Sequence, residues 1–436
     1  PIQASPYQTG RLGPKDNLLQ LMLAADRLLV LGEPGSGKTV ALERLAWELC
    51  GGSEPTVPVL VRLFKYAGTP LEKWVRAILQ ETGMLRLDDE RALITFLKEG
   101  ETRCFFLFDG LNEVAPEFRA GLTDELGRWI TAYPRHPVIL TSRPQDELWR
   151  RLRGEVGQAV VVQLIAEEQA QAYLVAHLAE RGEELYERLD QRLREMARTP
   201  LLLWLIKEAG AADESIPGNR GELYARFVSR MLRRDTDRRM DTEIPDRVKL
   251  GALTGLAYHL SLDQRLSCGY DDAVTTAAQQ IGGDQADRVV GACRRHGLLA
   301  GEETVWYSPH QTVQEYFAAL KLKDLAAEEW DQAQWSRWWQ ASKRIVTRQE
   351  EGLAALAGDD WWMETFVQLA GLTDLAYRLA REVARVNPWL AWWCVAEGRG
   401  EREETREAVA TRSVSLMESE RVADRRRAVA ALARMR

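Results

Sequence analysis

The stretch GEPGSGKT, residues 32–39, decides the fold of the N-terminal part of this chain. It is preceded by the apolar run RLLVL, residues 27–31, which we predict to be a buried strand. It is followed by VALERLAWEL, residues 40–49, whose apolar residues are spaced as in a helix. A strand, a glycine-rich turn and a helix in this order predict a phosphate-binding loop, or P-loop. In such a loop, backbone N–H groups and the helix N-terminus attract a phosphate.

The residue types at the end of the loop indicate how a nucleotide would be held. Lys38 can reach the β- and γ-phosphates, and the hydroxyl group of Thr39 can ligate Mg²⁺. We therefore predict a nucleotide with Mg²⁺ as the cofactors, and the family resemblance described below implies that the nucleotide is ATP or ADP. The predicted nucleotide-binding residues of this segment are Gly32, Glu33, Pro34, Gly35, Ser36, Gly37, Lys38, Thr39 and Val40.

The rest of residues 15–155 alternates apolar runs with helical patterns. Continuous apolar strands between helices predict an α/β domain with a parallel sheet covered on both faces. The further predicted strands are 57–63, 104–108, 137–141 and, as a shorter candidate, 159–163, with helices near 71–82 and 88–99.

Two of these predicted strands end in residues suited to phosphate chemistry. The run FFLFD, residues 105–109, ends in Asp109, which we predict to hold Mg²⁺ together with Thr39. Gly110 follows it, so Glu113 is the nearest acid able to orient a water molecule. Arg143, at the end of the next strand, can reach a γ-phosphate. The predicted catalytic residues are Lys38, Asp109, Glu113 and Arg143.

Composition limits the class of protein. The chain has 436 residues, 45% hydrophobic and 28% charged, which is typical of globular domains. Its net charge of −7 argues against a general nucleic-acid-binding surface. The five cysteines form no C-x-x-C pair, and no apolar run approaches the roughly 20 residues that span a bilayer. We expect a cytoplasmic protein without a membrane partner. Because the chain begins without Met and ends in a helical pattern, we also expect a fragment of a longer protein.

The remaining chain is predicted to be mostly helical. We predict a linker at 1–14, the P-loop domain at 15–155 and a helical domain at 156–235. Three helices and a hairpin at 298–307 indicate a winged-helix domain at 236–325.

Residues 326–436 form the last predicted region, a helical segment whose end, 421–432, resembles the start of a HEAT-type repeat. It contains nine of the fifteen tryptophans, for which packing is the favoured role and a ligand-sensing surface the alternative. Helices are expected at 352–357, 366–379 and 387–396.

Four motifs, in order along residues 15–325, make the chain resemble a known family. The string DGLNE, residues 109–113, resembles the D-G-[hydrophobic]-D-E signature of NACHT NTPases, which belong to the STAND class of signalling ATPases. TSRP at 141–144 is similar to the sensor 1 of that family, and TPLLL at 199–203 to its N-P-L-L-L segment. SPHQTVQEYFAA, residues 308–319, resembles its winged-helix motif F-x-H-x-x-x-Q-E-Y-x-A-A. The resemblance implies that Pro200 contacts adenine and that His310 contacts the β-phosphate of ADP in a closed state.

The chain departs from the family pattern at two positions. Asn112 stands where the signature has Asp, which removes one negative charge beside the metal. Slower hydrolysis, or hydrolysis that depends on Glu113 alone, would follow from this change. Thr199 stands in place of the usual Asn before Pro200, and we expect little effect.

The function that the resemblance implies is a switch with a slow ATPase as its timer. ADP would hold a closed monomer until a trigger, a protein or a nucleic acid, binds at the C-terminal side. Exchange for ATP would then give a homo-oligomer that activates an N-terminal effector lying outside this chain. Bacterial members of the family commonly act in antiphage defence.

Two alternatives remain open at this point. A P-loop phosphotransferase or AAA-type motor would be expected to carry an acid directly after Asp109 and would not need His310. A scaffold with a structural nucleotide would fit the weakened acidic cluster at Asn112.

Overall fold

The structure is a computed structural model, and the chain divides into two units, which we describe separately. One unit comprises residues 1–186 and 194–204, and the other 187–193 and 205–436. The described residues are 2–4, 18–51, 56–81, 90–144, 148–210, 217–234, 244–301, 303–307, 310–327, 353–373, 376–398, 402–419, 425, 428, 429, 431 and 432.

The first unit is built around a six-stranded sheet, five of whose strands are parallel, as the sequence predicts. Its order is β1-β6-β2-β5-β4-β3, and β1 pairs antiparallel with β6 at one edge. The strands are β1 (Ile2–Ala4), β2 (Arg27–Leu31), β3 (Thr56–Arg62), β4 (Arg103–Asp109), β5 (Val138–Ser142) and β6 (Ala159–Val162).

Strand β1 lies where a linker was predicted, so for residues 2–4 that prediction is wrong. Pairing Ile2 with Val162 gives the exposed edge of β6 a partner for its backbone groups. The rest of the predicted linker lies outside the described residues.

The side chains of each strand belong alternately to two cores, one on each face of the sheet, because successive side chains of a strand point to opposite faces. Leu28 and Val30 pack with Leu42 and Leu45 of the P-loop helix on one face. Leu29 and Leu31 belong to the core on the other face. The helices of this unit, some only one turn long, are Leu18–Ala24, Lys38–Cys50, Leu71–Glu81, Glu90–Glu99, Pro116–Ala132, Leu148–Arg151, Arg153–Val156 and Glu167–Leu178. The predicted helices near 71–82 and 88–99 are confirmed.

Three helices lie where the chain passes between the units: Glu180–Arg188, Gln191–Ala197 and Pro200–Gly210.

The second unit is mostly helical, with a small antiparallel sheet of order β7-β9-β8. Its strands are β7 (Ser267–Gly269), β8 (Leu299–Ala300) and β9 (Thr304–Tyr307). The predicted hairpin is confirmed as β8 and β9, and Gly301 between them has φ +90°, which favours glycine. Assignment to a winged-helix domain, and the division into four domains, stay predictions.

The second unit contains ten helices whose bounds the structure gives among the described residues. They are Arg220–Arg234, Asp246–Leu262, Tyr270–Ile281, Ala286–Arg295, Gln311–Ala327, Leu353–Gly358, Met363–Leu372, Ala376–Val383, Pro388–Glu397 and Arg402–Leu416. The single helix predicted at 366–379 is wrong, because the chain becomes extended at Thr373. Thr and the following Asp in the sequence favour helix ends, since their side chains compete for backbone hydrogen bonds.

The tryptophans of the C-terminal region that the structure describes are packed against other residues. Trp362 is buried, and Trp389, Trp392 and Trp393 contact one another through their rings. This agrees with the packing interpretation. Trp330, Trp335, Trp338 and Trp339, and most of the HEAT-like stretch, lie outside the described residues.

Candidate nucleotide-binding site

The loop between β2 and the following helix is shaped by its glycines. Gly35 and Gly37 have φ of +74° and +87°, values that favour glycine. The N–H of Gly32 donates to the carbonyl of Ser142 at 3.1 Å, which ties the loop to the end of β5. Within the described residues, no side chain caps the helix that begins at Lys38. The N-terminus of this helix therefore offers its backbone N–H groups to an anion.

The Lys38 side chain lies across this loop. Its Nζ donates hydrogen bonds to the carbonyl oxygens of Gly32, at 2.7 Å, and Glu33, at 3.2 Å. Burial, and then repulsion by Arg143, lower the pKa of Lys38 from 10.5 to about 8. An ammonium group this strongly desolvated gains more than an exposed one from a phosphate partner.

Asp109 and Glu113, the carboxylates predicted for catalysis, lie close enough to Lys38 to change its pKa. Attraction by Glu113, Glu33 and Asp109 raises the pKa of Lys38 and partly offsets its burial. The structure thus brings together the predicted Lys38, Asp109, Glu113 and Arg143. Two cations and three carboxylates around one loop can position a phosphate and its metal ion.

Asp109 is buried at the end of β4, and two threonines hold its two oxygens. The Thr39 hydroxyl donates to Oδ2 at 2.8 Å and the Thr141 hydroxyl to Oδ1 at 2.7 Å. Thr141 also accepts the N–H of Gly110 at 2.8 Å. These contacts fix the plane of the carboxylate beside Thr39, the other predicted Mg²⁺ ligand.

Sequence reasoning missed Thr141 and also Arg62. Both lie beside Asp109 because β3, β4 and β5 are neighbouring parallel strands. The register pairs Arg62 with Asp109, and Nη1 of Arg62 lies 4.0 Å from Oδ2 of Asp109. Arg62 also bonds Glu43 at 2.5 Å. The strand order could have revealed both residues, since parallel strands end at one edge of the sheet.

The segment around Pro200 packs on the P-loop within the first unit. The N–H of Leu201 donates to the carbonyl of Gly35 at 3.2 Å. A Cβ atom built on Gly35 would lie 2.9 Å from Cβ of Leu201, and one on Gly37 would lie 3.9 Å from Cγ of Pro200. The predicted residue Pro200 therefore lies beside the loop.

His310 belongs to the second unit and precedes the helix Gln311–Ala327. Its Nδ1 accepts the N–H of Thr312 at 3.2 Å, which makes it a cap of that helix. Its contact with a phosphate stays a prediction.

Two buried polar atoms at the first-unit site fit a bound nucleotide with Mg²⁺. Oγ of Ser36 and Oδ1 of Asn112 are both buried without a hydrogen-bond partner among the described residues. Buried polar atoms normally have partners, and a bound phosphate or hydrated metal ion would supply partners for these two. Ser36 lies in the loop and Asn112 three residues after Asp109, where a phosphate or a hydrated metal ion would bind.

Residues 26–181 match the family model of the NACHT domain. This region is a NACHT domain. It contains the P-loop, Asp109 and Arg143, so the chain has a nucleotide-binding P-loop NTPase domain. Nucleotide binding by such domains typically involves Mg²⁺. No curated protein sequence matches the chain.

The solved structures that are similar to this chain include the following two. A STAND protein with a tetratricopeptide repeat sensor from Pyrococcus horikoshii is 14% identical, with a TM-score of 0.37, over 99% of this chain and 65% of that one. Cdc6p from Pyrobaculum aerophilum is 14% identical, with a TM-score of 0.34, over 74% of this chain and 97% of that one. None of the described helices is long and apolar enough to cross a membrane.

Proposed function

We propose that this NACHT protein is a nucleotide-dependent switch that hydrolyses ATP slowly. ADP holds a closed monomer at rest, and exchange for ATP leads to a homo-oligomer that activates an effector. The observation that carries this proposal is the packing of residues 199–201 on Gly35 and Gly37. Residues 199–201 lie C-terminal to the region that matches the NACHT model. A nucleotide bound in the loop would therefore contact the segment that connects this domain to the rest of the chain.

The residues of the site divide the work of binding between them. The loop N–H groups, Ser36 and Lys38 would hold the phosphates, and Pro200 would contact the base. Thr39 and Asp109 would hold Mg²⁺, which when bound neutralises the charge of the phosphates. Glu113 would orient the attacking water, and Arg143 would contact the γ-phosphate.

Two features support a switch over a fast motor. Gly110 has φ +83°, and a Cβ built there would lie 2.7 Å from Oε2 of Glu113, so an acid directly after Asp109 would be strained. Asn112 adds no charge to the site. The lack of an acid at position 110 and the neutral side chain at position 112 both favour slow hydrolysis.

The free energies are of a suitable size for ADP control. A ligand at several hundred times its Kd stabilises the state it binds by roughly 3–4 kcal/mol. Moving a two-state equilibrium from 1:99 to 99:1 takes about 5.5 kcal/mol. ADP therefore supplies much of the bias toward the closed state, and a trigger must favour the open state by a comparable amount.

The partners that complete this proposal follow from the same scheme. The trigger, a protein or a nucleic acid, binds at the C-terminal side, and the effector is an N-terminal region outside this chain. The setting is the cytoplasm, and antiphage defence is the role most in keeping with such a switch.

The test is the affinity for ADP and for ATP of the wild type and of His310→Ala. A charge-assisted hydrogen bond contributes about 1.5–3 kcal/mol, so we expect His310→Ala to weaken ADP binding roughly 10- to 100-fold and ATP binding less. His259→Ala is the matched control, because His259 is a partly exposed histidine of the same unit. Unchanged ADP affinity in His310→Ala, with rapid ATP turnover by the monomer, would overturn the proposal.

A further inference from the structure

The second unit contains a buried group of charged residues that the nucleotide site does not use. Nη1 of Arg220 lies 3.0 and 3.1 Å from the two carboxylate oxygens of Glu364. Nε of Arg220 lies 3.0 Å from Glu397, and Arg192 donates to Glu397 at 2.9 Å. We call these four residues the buried charge cluster. Its two arginines balance its two glutamates, so each charge has a partner.

The cluster fixes one C-terminal helix against the helix that begins at Arg220. Glu364 lies on the helix Met363–Leu372, and Gln368 is one turn further along the same face. At the far end, Nδ2 of Asn219 donates to the carbonyl of Gly371 at 2.9 Å. A Cβ built on Gly221 would lie 2.8 Å from Cγ of Leu372. Polar contacts at both ends and close packing therefore set the position of this helix.

Both helices also contact Thr312, two residues after His310. Nε2 of Gln368 donates to the backbone carbonyl of Thr312 at 3.1 Å. The hydroxyl of Tyr224, one turn after Arg220, donates to Oγ1 of Thr312 at 2.6 Å. Tyr224, Thr312 and Gln368 are all buried, so water does not compete for these bonds.

Thr312 in turn determines the protonation of the His310 ring. Its N–H donates to Nδ1 of His310, and its Oγ1 lies 3.2 Å from the same nitrogen. Because Tyr224 donates to Oγ1, the proton of the Thr312 hydroxyl is available for Nδ1. A nitrogen that accepts from two donors carries no proton, so the neutral ring carries its proton on Nε2.

We propose that the helix Met363–Leu372 controls His310 through Thr312, with Gln368 and Tyr224 as positioning residues. The inference rests on the proposed function and on the prediction that His310 contacts the β-phosphate of ADP. While the helix is in place, His310 presents Nε2–H as a donor in a fixed orientation. Displacement of the helix by a ligand at the C-terminal side removes the bonds to Thr312, releases the ring and weakens ADP binding.

The first experiment observes the tautomer directly. The full chain, with ¹⁵N-labelled histidine, contains five histidines, and the His310→Ala spectrum identifies the signal of His310. We expect the Nε2–H tautomer in the wild type. The Nδ1–H tautomer at His310 would overturn the proposal, whatever the protein does with nucleotides.

The second experiment measures ADP affinity in variants that remove single hydrogen bonds. A neutral hydrogen bond contributes about 0.5–1.5 kcal/mol, so Thr312→Val, Tyr224→Phe and Gln368→Met should each weaken ADP binding roughly 2- to 12-fold. Thr312→Ser keeps the hydroxyl and should restore the wild-type affinity. Thr365→Val is the control, a buried substitution on the same helix.

The outcomes separate this inference from the proposed function. If His310→Ala weakens ADP binding but the Thr312, Tyr224 and Gln368 variants bind ADP as the wild type does, the control by the helix is wrong and the switch stands. Equal losses in Thr312→Val and Thr312→Ser would also overturn it, since the hydroxyl would then have no role. If His310→Ala itself has no effect on ADP binding, the control by the helix is wrong, and the switch also fails if the monomer turns ATP over rapidly.

Discussion

Two polar regions of the molecule arise differently from the sequence. One is the phosphate-binding edge of the first unit, where strands β2, β4 and β5 end and the P-loop helix begins. The other is the buried charge cluster of the second unit. At the edge, each functional side chain closes a strand or opens a helix within a short motif. In the cluster, the partners are far apart in the chain, with Arg220 144 residues from Glu364 and Arg192 205 residues from Glu397. A motif marks the first site, whereas only the folded structure reveals the second. We therefore expect changes at the edge to alter nucleotide chemistry. We expect changes in the cluster to alter the stability of the second unit and the position of the helix Met363–Leu372.

The largest effect is expected from breaking the cluster. Arg220→Met leaves Glu364 and Glu397 buried without a full partner, which should lower the free energy of unfolding of the second unit by about 3–5 kcal/mol. Denaturant unfolding followed by tryptophan fluorescence would measure it. Arg381→Ala is the control, because Arg381 is half exposed and 3.9 Å from Glu404, and should change stability by less than about 1 kcal/mol. A similar small change in both variants would show that the cluster is not structural.

At the phosphate-binding edge, Thr141→Val should lower both the rate of ATP hydrolysis and the stability of the first unit. It leaves the buried N–H of Gly110 without its acceptor and releases one oxygen of Asp109, a cost of about 1–3 kcal/mol. We expect ATP hydrolysis to fall roughly 10- to 100-fold, and Thr141→Ser to retain most of it. Single-turnover hydrolysis is the measurement. Wild-type rates in Thr141→Val would mean that Thr141 does not position Asp109.

Lys38 gives the stability of the first unit a pH dependence. Its pKa is about 8 in the folded chain and 10.5 ordinarily, so between these values the unfolded chain binds a proton that the folded chain does not. The free energy of unfolding contributed by Lys38 therefore rises with pH from about 8 to about 10.5. The difference between the wild type and Lys38→Met isolates this contribution from the buried cysteines and tyrosines. A difference that stays flat across this range would show that Lys38 is not desolvated.

The smallest effect is expected from Asn112→Asp, which restores the family's acid. An added carboxylate in place of an amide strengthens a cation contact by about 1 kcal/mol, so apparent Mg²⁺ affinity should rise roughly fivefold. Titration of Mg²⁺ in the hydrolysis assay measures this. Asn112→Ser is a neutral comparison that should not raise the affinity.

Features that depend on residues close together in the sequence could be predicted, whereas features that depend on residues far apart in the sequence could not. The strands at 27–31 and 104–108 and the residues Lys38 and Asp109 were predicted because local patterns encode them. Thr141 and Arg62 were missed because their role depends on which strands are neighbours. The helix break at Thr373 was missed because apolar spacing continues through it.

The buried charge cluster had no sequence signal, since charged residues such as Glu364 and Glu397 normally predict an exposed helix face. Their burial depends on Arg220, and no local pattern connects residues so distant in the chain. Long-range pairs of opposite charge are found only when the fold brings them together.

The most direct test of the switch is the identity of the nucleotide that the protein carries through purification. The protein is denatured, and the released small molecules are separated and quantified against protein, with Lys38→Ala purified in parallel. We expect about one ADP per wild-type chain and little in Lys38→Ala. An empty wild-type site with rapid multiple turnover of ATP would contradict it.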